Sequence, residues 1–594
     1  MRTPLRAAFR LAITGCLGLA AIAASASVGR AAEPEKMLPD STLFFLKVKN
    51  VAELRESFEK ADFGRLLADP ALKPLKDDVA AKLAETNEQV KAKLGVTLGE
   101  LLQLPQGTAT VAVVGKPDAK IPVALLISAD AGKNAAKMTE VMTKSTKQAE
   151  EANAKVGTET FKGLTLHIIQ PPQDGDKPNP PLIWTNAESV FHIATDLDAL
   201  KDVITHADGR TDSLASVDAF GKAMTKLGAD SPVIWFLDIN KSIKLVAQAG
   251  QAAQGGGGAA QNIEGMLQLT GINGLKAVGG NFAFNSGAFD SVSKVYFLAP
   301  APTQGLLKMF LMPPTSLRPQ PWVPANVASY QSLSWDLDKA YDALNDLVNQ
   351  FQPGMLQLLQ QNLVGPNGGE PLDLEKDVFG PIGDRLTIIS DFKKPITENS
   401  QRLLFSAALE DTKKFEATLS KVIEIAGGTP AKRDFQGTTI YDFKLPDMPA
   451  PGAGAANNNP FKNGTVSVAV AKDSVFVASE PTLLESVLRG GGSALADSPD
   501  FQAVAKQIPA QSSTLTYAKA DEQARVTYDM IKSGQFEEAF QANPNGPDPS
   551  KVFDRSKLPD FSVFAKYLSA GGGFGLMEDD GMTFTTFTLR KANP

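Results

Sequence analysis

Three histidines, three acidic groupings and one glycine run are the residues whose types and spacing could do chemistry. His167, His192 and His206 titrate near neutrality, so each is a candidate proton carrier or metal ligand. Asp196 with Asp198, Asp336 with Asp338, and Glu578-Asp579-Asp580 could hold calcium or act as a general acid and base. Gly571-Gly572-Gly573-Phe574-Gly575 has the look of a phosphate loop. Each also has a structural reading. His167 and His192 fall on strand patterns among apolar neighbours, and His206 falls at a helix end. The acidic pairs stand where helix caps and turns need carboxylates. Calcium takes about six to eight oxygens in a shaped loop, and no EF-hand pattern is present. The glycine run enters a strand hairpin without the following helix and Lys-Ser/Thr of a phosphate loop, so close strand packing is the simpler role. There is no HExxH, no GxSxG elbow, no Walker loop and no paired-ligand metal spacing. The residues therefore assign no catalytic, cofactor-binding or metal position, and no cofactor.

Residues 1–32 have the order of an export signal: Arg2, Arg6 and Arg10, then an apolar stretch from Leu11 to Ala24, then small residues at Ala24-Ser25-Ala26 or Gly29-Arg30-Ala31. The apolar run is shorter than the roughly 20 residues that cross a bilayer. Cleavage removes Cys16, the only cysteine, and with it any disulfide, thiol nucleophile or thiolate metal site. It also leaves 55 basic against 66 acidic side chains, a net charge of −11. So acidic a chain, without a Lys/Arg tract, is a poor partner for nucleic acid or an anionic membrane. The expectation is a periplasmic or extracellular protein with no membrane span after signal removal and an envelope or extracellular partner.

The elements that must position any site come twice. Leu38-Pro39-Asp40-Ser41-Thr42-Leu43-Phe44-Phe45 matches Val323-Pro324-Ala325-Asn326-Val327-Ala328-Ser329-Tyr330, each running into a helical pattern. Phe161-Lys162-Gly163 matches Phe435-Gln436-Gly437, with Tyr441 opposite His167. Ser189-Val190-Phe191 matches Ser474-Val475-Phe476, which places Val477 opposite His192. Asp218-Ala219-Phe220 matches Asp500-Phe501, Trp235-Phe236 falls opposite Thr516-Tyr517, and Gly279-Gly280 matches Gly572-Gly573. Offsets stay at roughly 275 to 290 residues, as one duplication with loop drift produces.

Within each unit the strands come as adjacent pairs. Thr108 to Val114 and Ile121 to Ser128 flank a turn, with Asp130 capping a helix through Val141; Arg385 to Ile389 and Arg402 to Leu409 precede a helix over Thr412 to Ile423. Leu182 to Thr185 with Val190 to Ala194, and Val466 to Ala471 with Val475 to Ser479, read as further hairpins, the latter followed by a helix opening at Pro481. The fold expected is α+β: two similar tandem units over 33–298 and 324–594, each a mostly antiparallel sheet with helices packed on one face. The proline-dense 299–323 reads as a connector, with Trp322 either packing or ligand-binding. Loops are expanded at Pro171 to Pro181 and Pro446 to Pro460, and again at Gln248 to Gln261, with its run Gly255 to Gly258, and Ser533 to Asp560. Paired loops of this kind could carry partner contacts or be drift at exposed tips.

The opening LPDSTLFFLKVKNVAELRESFEKADFGRLLADPALKP, followed by a leucine-rich segment before TATVAVVG, resembles exported bacterial proteins of a domain-of-unknown-function family common in planctomycete-like genomes. That resemblance implies export and a strand-rich α+β repeat, and brings no catalytic residues. The function expected is that of an exported, non-catalytic binding or scaffold protein. A carboxylate-dependent hydrolase of the cell envelope and an apolar-ligand carrier are the alternatives.

Overall fold

The computed structural model describes residues 33–117, 119–173, 179–253, 270–365, 368–394, 400–427, 429–445, 464–534 and 554–591. The expected signal over 1–32, the loop Pro446 to Pro460, the run Gly255 to Gly258, and much of Pro171 to Pro181 and Ser533 to Asp560 lie outside them. Two compact units are present: Met1–Asp69, Val79–Gly265 and Leu275–Ala299, then Pro70–Asp78, Met266–Gly274 and Pro300–Pro594. From Pro300 onward the proline-dense stretch therefore belongs to the second unit. Among the described residues no helix is long and apolar enough to cross a membrane.

The fold is α+β, with antiparallel strand pairing throughout. In the first unit the strands are β1 (Thr42–Val48), β2 (Ala109–Gly115), β3 (Val123–Asp130), β4 (Lys155–Phe161), β5 (Leu164–Gln170), β6 (Leu182–Ala187), β7 (Val190–Ala194), β8 (Val233–Asp238), β9 (Ala277–Ser286) and β10 (Phe289–Leu298). They pair in the order β4-β5-β6-β7-β3-β2-β1-β8-β9-β10. The second unit has β11 (Ser329–Ser334), β12 (Ile382–Phe392), β13 (Gln401–Leu409), β14 (Ala431–Phe435), β15 (Thr438–Lys444), β16 (Thr465–Ala471), β17 (Ser474–Ala478), β18 (Thr514–Ala518), β19 (Gly571–Glu578) and β20 (Gly581–Leu589). Here the order is β14-β15-β16-β17-β13-β12-β11-β18-β19-β20.

The helices that cover or brace these sheets include α1 (Pro34–Met37), α2 (Val51–Lys60), α3 (Ala135–Glu151), α4 (Leu197–Thr205), α5 (Asp218–Leu227), α6 (Leu337–Phe351), α7 (Thr412–Ile425), α8 (Pro481–Arg489) and α9 (Pro499–Ala505). Their starts are written in short polar side chains. Asn50 accepts hydrogen bonds from the backbone N–H groups of Ala52 and Glu53, Asp196 from Ala199, Asp411 from Lys414, and Ser498 from Phe501. Asp130 does not cap as expected. It is the last residue of β3, its carboxylate accepts from Gly132 N, and a 3-10 turn intervenes before α3 begins at Ala135.

Helices cover both faces of each sheet, which corrects the expectation of one. On the first unit's inner face, Phe45, Ala112, Leu126, Leu166, Ile183, Ala194 and Phe236 pack with α4 and α5. On the other face Ile169, Trp184 and Phe191 pack with Met138 and Val141 of α3, while Val48 and Ala109 pack with Val51 and Leu54 of α2. Adjacent strand residues point to opposite faces, so Ile183 and Trp184 serve different layers. In the second unit Val468 and Val475 lie in a cluster with Phe415 and Leu419 of α7, while their neighbours Ala469 and Phe476 are buried on the other side. The signal was available in VALLI of β3, a continuous apolar run of the kind a strand buried on both faces shows.

At the middle of each sheet one helix rests on two strands through a ring. Phe220 of α5 lies edge-on to Phe45 at 5.9 Å and to Phe236 at 5.2 Å. Phe501 of α9 does the same with Tyr330 at 6.5 Å and Tyr517 at 5.6 Å. The next strand offers glycine. A Cβ on Gly572 would stand 2.3 Å from Val504 Cγ1 and 3.0 Å from Thr516 O, and one on Gly279 would stand 3.0 Å from Leu227 Cδ1. Gly572→Ala should therefore push α9 off the sheet and lower stability by about 1–3 kcal/mol. Gly221→Ala, in the middle of α5 where nothing lies within 4 Å of the added carbon, should raise stability by about 0.5–1 kcal/mol. Urea unfolding midpoints at unchanged slope measure both.

Candidate functional site

Two residues along from the apolar row of Phe45, Ala112, Leu126, Ala194 and Ile183, the inner face of the first unit turns polar. Strand register sets Lys47 opposite Thr110, Thr110 opposite Ser128, Ser128 opposite His192, and His192 opposite Thr185. Directly paired residues share a face, so these five side chains form one transverse row. Lys47, Thr110, His192 and Thr185 are all buried.

Burial makes an unpaired polar atom costly, and most of those in this row are paired. Lys47 Nζ donates to Glu35 Oε1 at 2.5 Å, both side chains being nearly nine-tenths buried. Glu35 is carried by α1, whose first turn Pro34 opens. Ser128 Oγ and His192 Nδ1 are hydrogen-bonded at 2.8 Å, and Thr185 Oγ1 donates to Thr165 O at 2.8 Å. Glu35 Oε2 is buried without a partner among the described residues. Burial pushes the His192 imidazole down to about 4, so the ring is neutral at pH 7. A serine and a neutral histidine in contact are two parts of a nucleophilic triad, but here both lie within the sheet, with His192 buried and Ser128 half-buried.

The second unit has a row of hydroxyls. Ser332 is opposite Thr387, Thr387 opposite Ser406, and Ser406 opposite Phe476. Ser332 and Thr387 hydrogen-bond to each other, Arg385 Nε donates to Ser332 Oγ, and Arg385 Nη2 donates to Tyr330 Oη at 2.8 Å. The expected connector closes this side: Tyr330 Oη donates to Leu317 O, Gln320 Nε2 to Thr387 Oγ1, and Trp322 lies edge-on to Phe476 at 5.0 Å. Trp322 is thus a buried packing residue. Phe476 offers no acceptor, and Ser406 Oγ is buried without a partner among the described residues.

The three histidines are not brought together. His167 on β5 stacks on Trp184 at 4.0 Å, on the α3 side of the sheet from His192, and burial lowers its imidazole. His206 ends α4, where its Nδ1 meets Asp202 O. The acidic groupings do structural work. Asp196 caps α4 and pairs with Lys116 at 2.6 Å; Asp336 caps α6 and pairs with Lys339, with Asp338 in the first turn. Glu578 pairs with Gly581 across a turn made by Asp579 and Asp580, and Gly571 to Gly575 lie in β19. Among the described residues no three His, Cys, Asp or Glu side chains are grouped as metal ligands. Sequence reading missed the Glu35–Lys47 pair. Its signal was Lys47 at an inward position of TLFFLKV. An apolar recess in the first unit, between Met138 and Met142 of α3 and Val111, Ile127 and Phe191, is about 30 Å³.

No family model, curated protein or solved structure matches the chain.

Two outcomes test this site. His192 binds a proton more weakly when folded than when unfolded, so the unfolded chain takes up protons first and stability falls as pH drops from 6.5 toward 4. The loss should reach about 3 kcal/mol, and the double variant Ser128→Ala with His192→Phe should lack it, as urea unfolding at pH 7 and pH 4 will show. Lys47→Met alone leaves a buried carboxylate uncompensated and should cost about 3–5 kcal/mol. Adding Glu35→Leu should return most of that, measured by the same titration.

Proposed function

We propose that the chain is an exported, non-catalytic binding or scaffold protein built from two similar tandem units. What carries this reading is that the groups best suited to chemistry are spent inside the sheet on one another, while the frame around them recurs. Strand order supports the duplication, since β1 to β10 and β11 to β20 pair in the same sequence. So do particular residues. Phe45 pairs with Phe236, and Phe236 with Gly279; Tyr330 pairs with Tyr517, and Tyr517 with Gly572. Lys162-Gly163 and Gln436-Gly437 both turn through two positive φ values, near 50° and 80°.

One correspondence shifts. Both β6–β7 and β16–β17 close with two-residue turns, from Ala187 to Val190 and from Ala471 to Ser474, so the register sets His192 against Phe476 and not Phe191 against Phe476. A slip of one residue moves a strand side chain to the other face. His192 thus faces the α4 and α5 layer as Phe476 faces Trp322, and the second unit has a phenyl ring where the first has an imidazole. Chemistry that depended on this ring would belong to one unit only.

The alternatives draw less support. A carboxylate hydrolase needs two carboxyl groups roughly 5 to 10 Å apart in a cleft, and the acidic pairs singled out are caps and turns. An apolar-ligand pocket commonly holds roughly 300–1,000 Å³, an order of magnitude above the recess beside α3. The deciding experiment is crosslinking in the native envelope with mass spectrometry of what the chain captures. A reproducible partner, still captured under chelation and by a folded His167→Ala, His192→Phe, His206→Ala variant, is the expected result. Turnover of an envelope polymer by the purified chain would overturn the reading.

A further inference from the structure

The first unit's sheet ends at β4, which is open along one side. All seven of its residues pair with β5, from Lys155 opposite Gln170 to Phe161 opposite Leu164, without a bulge. Among the described residues β5 is the strand it pairs with, while β3 is paired on both sides by β2 and β7. Lys155, Val156, Gly157, Thr158 and Thr160 are exposed, and the strand holds no proline. Natural sheets blunt such an edge with charge, proline or a bulge, because its free N–H and C=O groups recruit another strand. The second unit's terminal strand is blunted more heavily: β14 carries Lys432, Arg433 and Asp434 in a row, with Arg433 held by Asp442 and Glu485, whereas the two charges of β4, Lys155 and Glu159, are of opposite sign and four residues apart.

Gly157 at the middle of β4 is the second observation. Its φ is not left-handed, and no atom lies within 4 Å of where its Cβ would stand, so neither turn geometry nor packing in this chain requires glycine. A mid-strand glycine weakens a strand and commonly marks the close approach of another backbone. The third is charge. Lys155 and Glu159 flank Gly157 symmetrically and share a face, and Glu159 is held in place by Lys201 Nζ at 2.6 Å.

We propose that β4 pairs antiparallel with β4 of a second copy of this chain, about a twofold axis at Gly157. In that register Lys155 of each copy faces Glu159 of the other, and Val156 faces Thr158, two complementary pairs on each side of the axis. The contact is isologous and closed, so it makes a dimer and not a fibre. With about five residues facing per strand it is a small interface, and association is weak and concentration-dependent. Such a dimer is independent of the scaffold reading.

Sedimentation equilibrium of the full chain, from micromolar to several hundred micromolar, should show a monomer–dimer equilibrium. Lys155→Glu or Glu159→Lys places like charges face to face twice and should weaken dimerisation about tenfold, while an equimolar mixture of the two variants should recover wild-type association. Because the signal-cleaved chain has no cysteine, Gly157→Cys supplies an independent readout. Directly opposed strand residues bring Cα atoms about 4.5–5.5 Å apart, within disulfide range. Mild oxidation should then give a covalent dimer severalfold faster than with Thr160→Cys, which does not face itself. A wild type that is monomeric throughout, a dimer indifferent to both charge reversals, or equal crosslinking at 157 and 160 would each overturn the proposal. An extended peptide of another protein binding this edge to a monomeric chain would overturn it too.

Discussion

In each unit the layers hold together because a phenylalanine on a helix sits on two aromatic rings of the central strands, over a glycine. Phe220 over Phe45 and Phe236, and Phe501 over Tyr330 and Tyr517, are edge-on contacts of the geometry that ring quadrupoles favour, each adding about 0.5–1.5 kcal/mol beyond burial. The glycines set how close the helix comes. With a side chain at Gly279 or Gly572, α5 or α9 would have to lift, and the rings would part.

The polar rows depend on that seating. Period-two alternation fixes which residues face the helices, and the ring trio fixes where the helix lies along the strands. Two residues further on, the inner face passes from Phe45 and Ala112 to Lys47 and Thr110. There the chain spends polar groups on each other: α1 brings Glu35 to Lys47, and His192 meets Ser128. In the second unit Arg385 and the 311–323 stretch take that place, tying Leu317, Gln320 and Trp322 to Tyr330, Thr387 and Phe476. The proline density that rules out regular structure in this stretch leaves its carbonyls available, and Leu317 O and Arg318 O are the acceptors used.

A hydroxyl's fate then depends on one neighbour. Ser128 faces an imidazole and is satisfied; Ser406 faces Phe476 and has no partner among the described residues. An unmet buried hydroxyl costs about 1–3 kcal/mol, which the second unit offsets in part by the contact of Phe476 with Trp322. The two rows thus differ in how polar groups are met, not in where the strands run.

Local chemistry was legible from the chain alone. Asp196, Asp336 and Pro481 announced helix starts, and the glycines of Lys162-Gly163 and Gln436-Gly437 announced turns. These are signals between residues a few positions apart, and they need no knowledge of what packs on them. Sheet faces, partners and edges were decided by tertiary structure. That α3 covers Trp184 while α4 and α5 cover Ile183, that Glu35 reaches Lys47, that Ser406 meets Phe476, and that β4 pairs on one side only among the described residues depend on strands far apart in sequence meeting in one register. A shift of one residue reverses which face each side chain serves, and no local pattern carries that information.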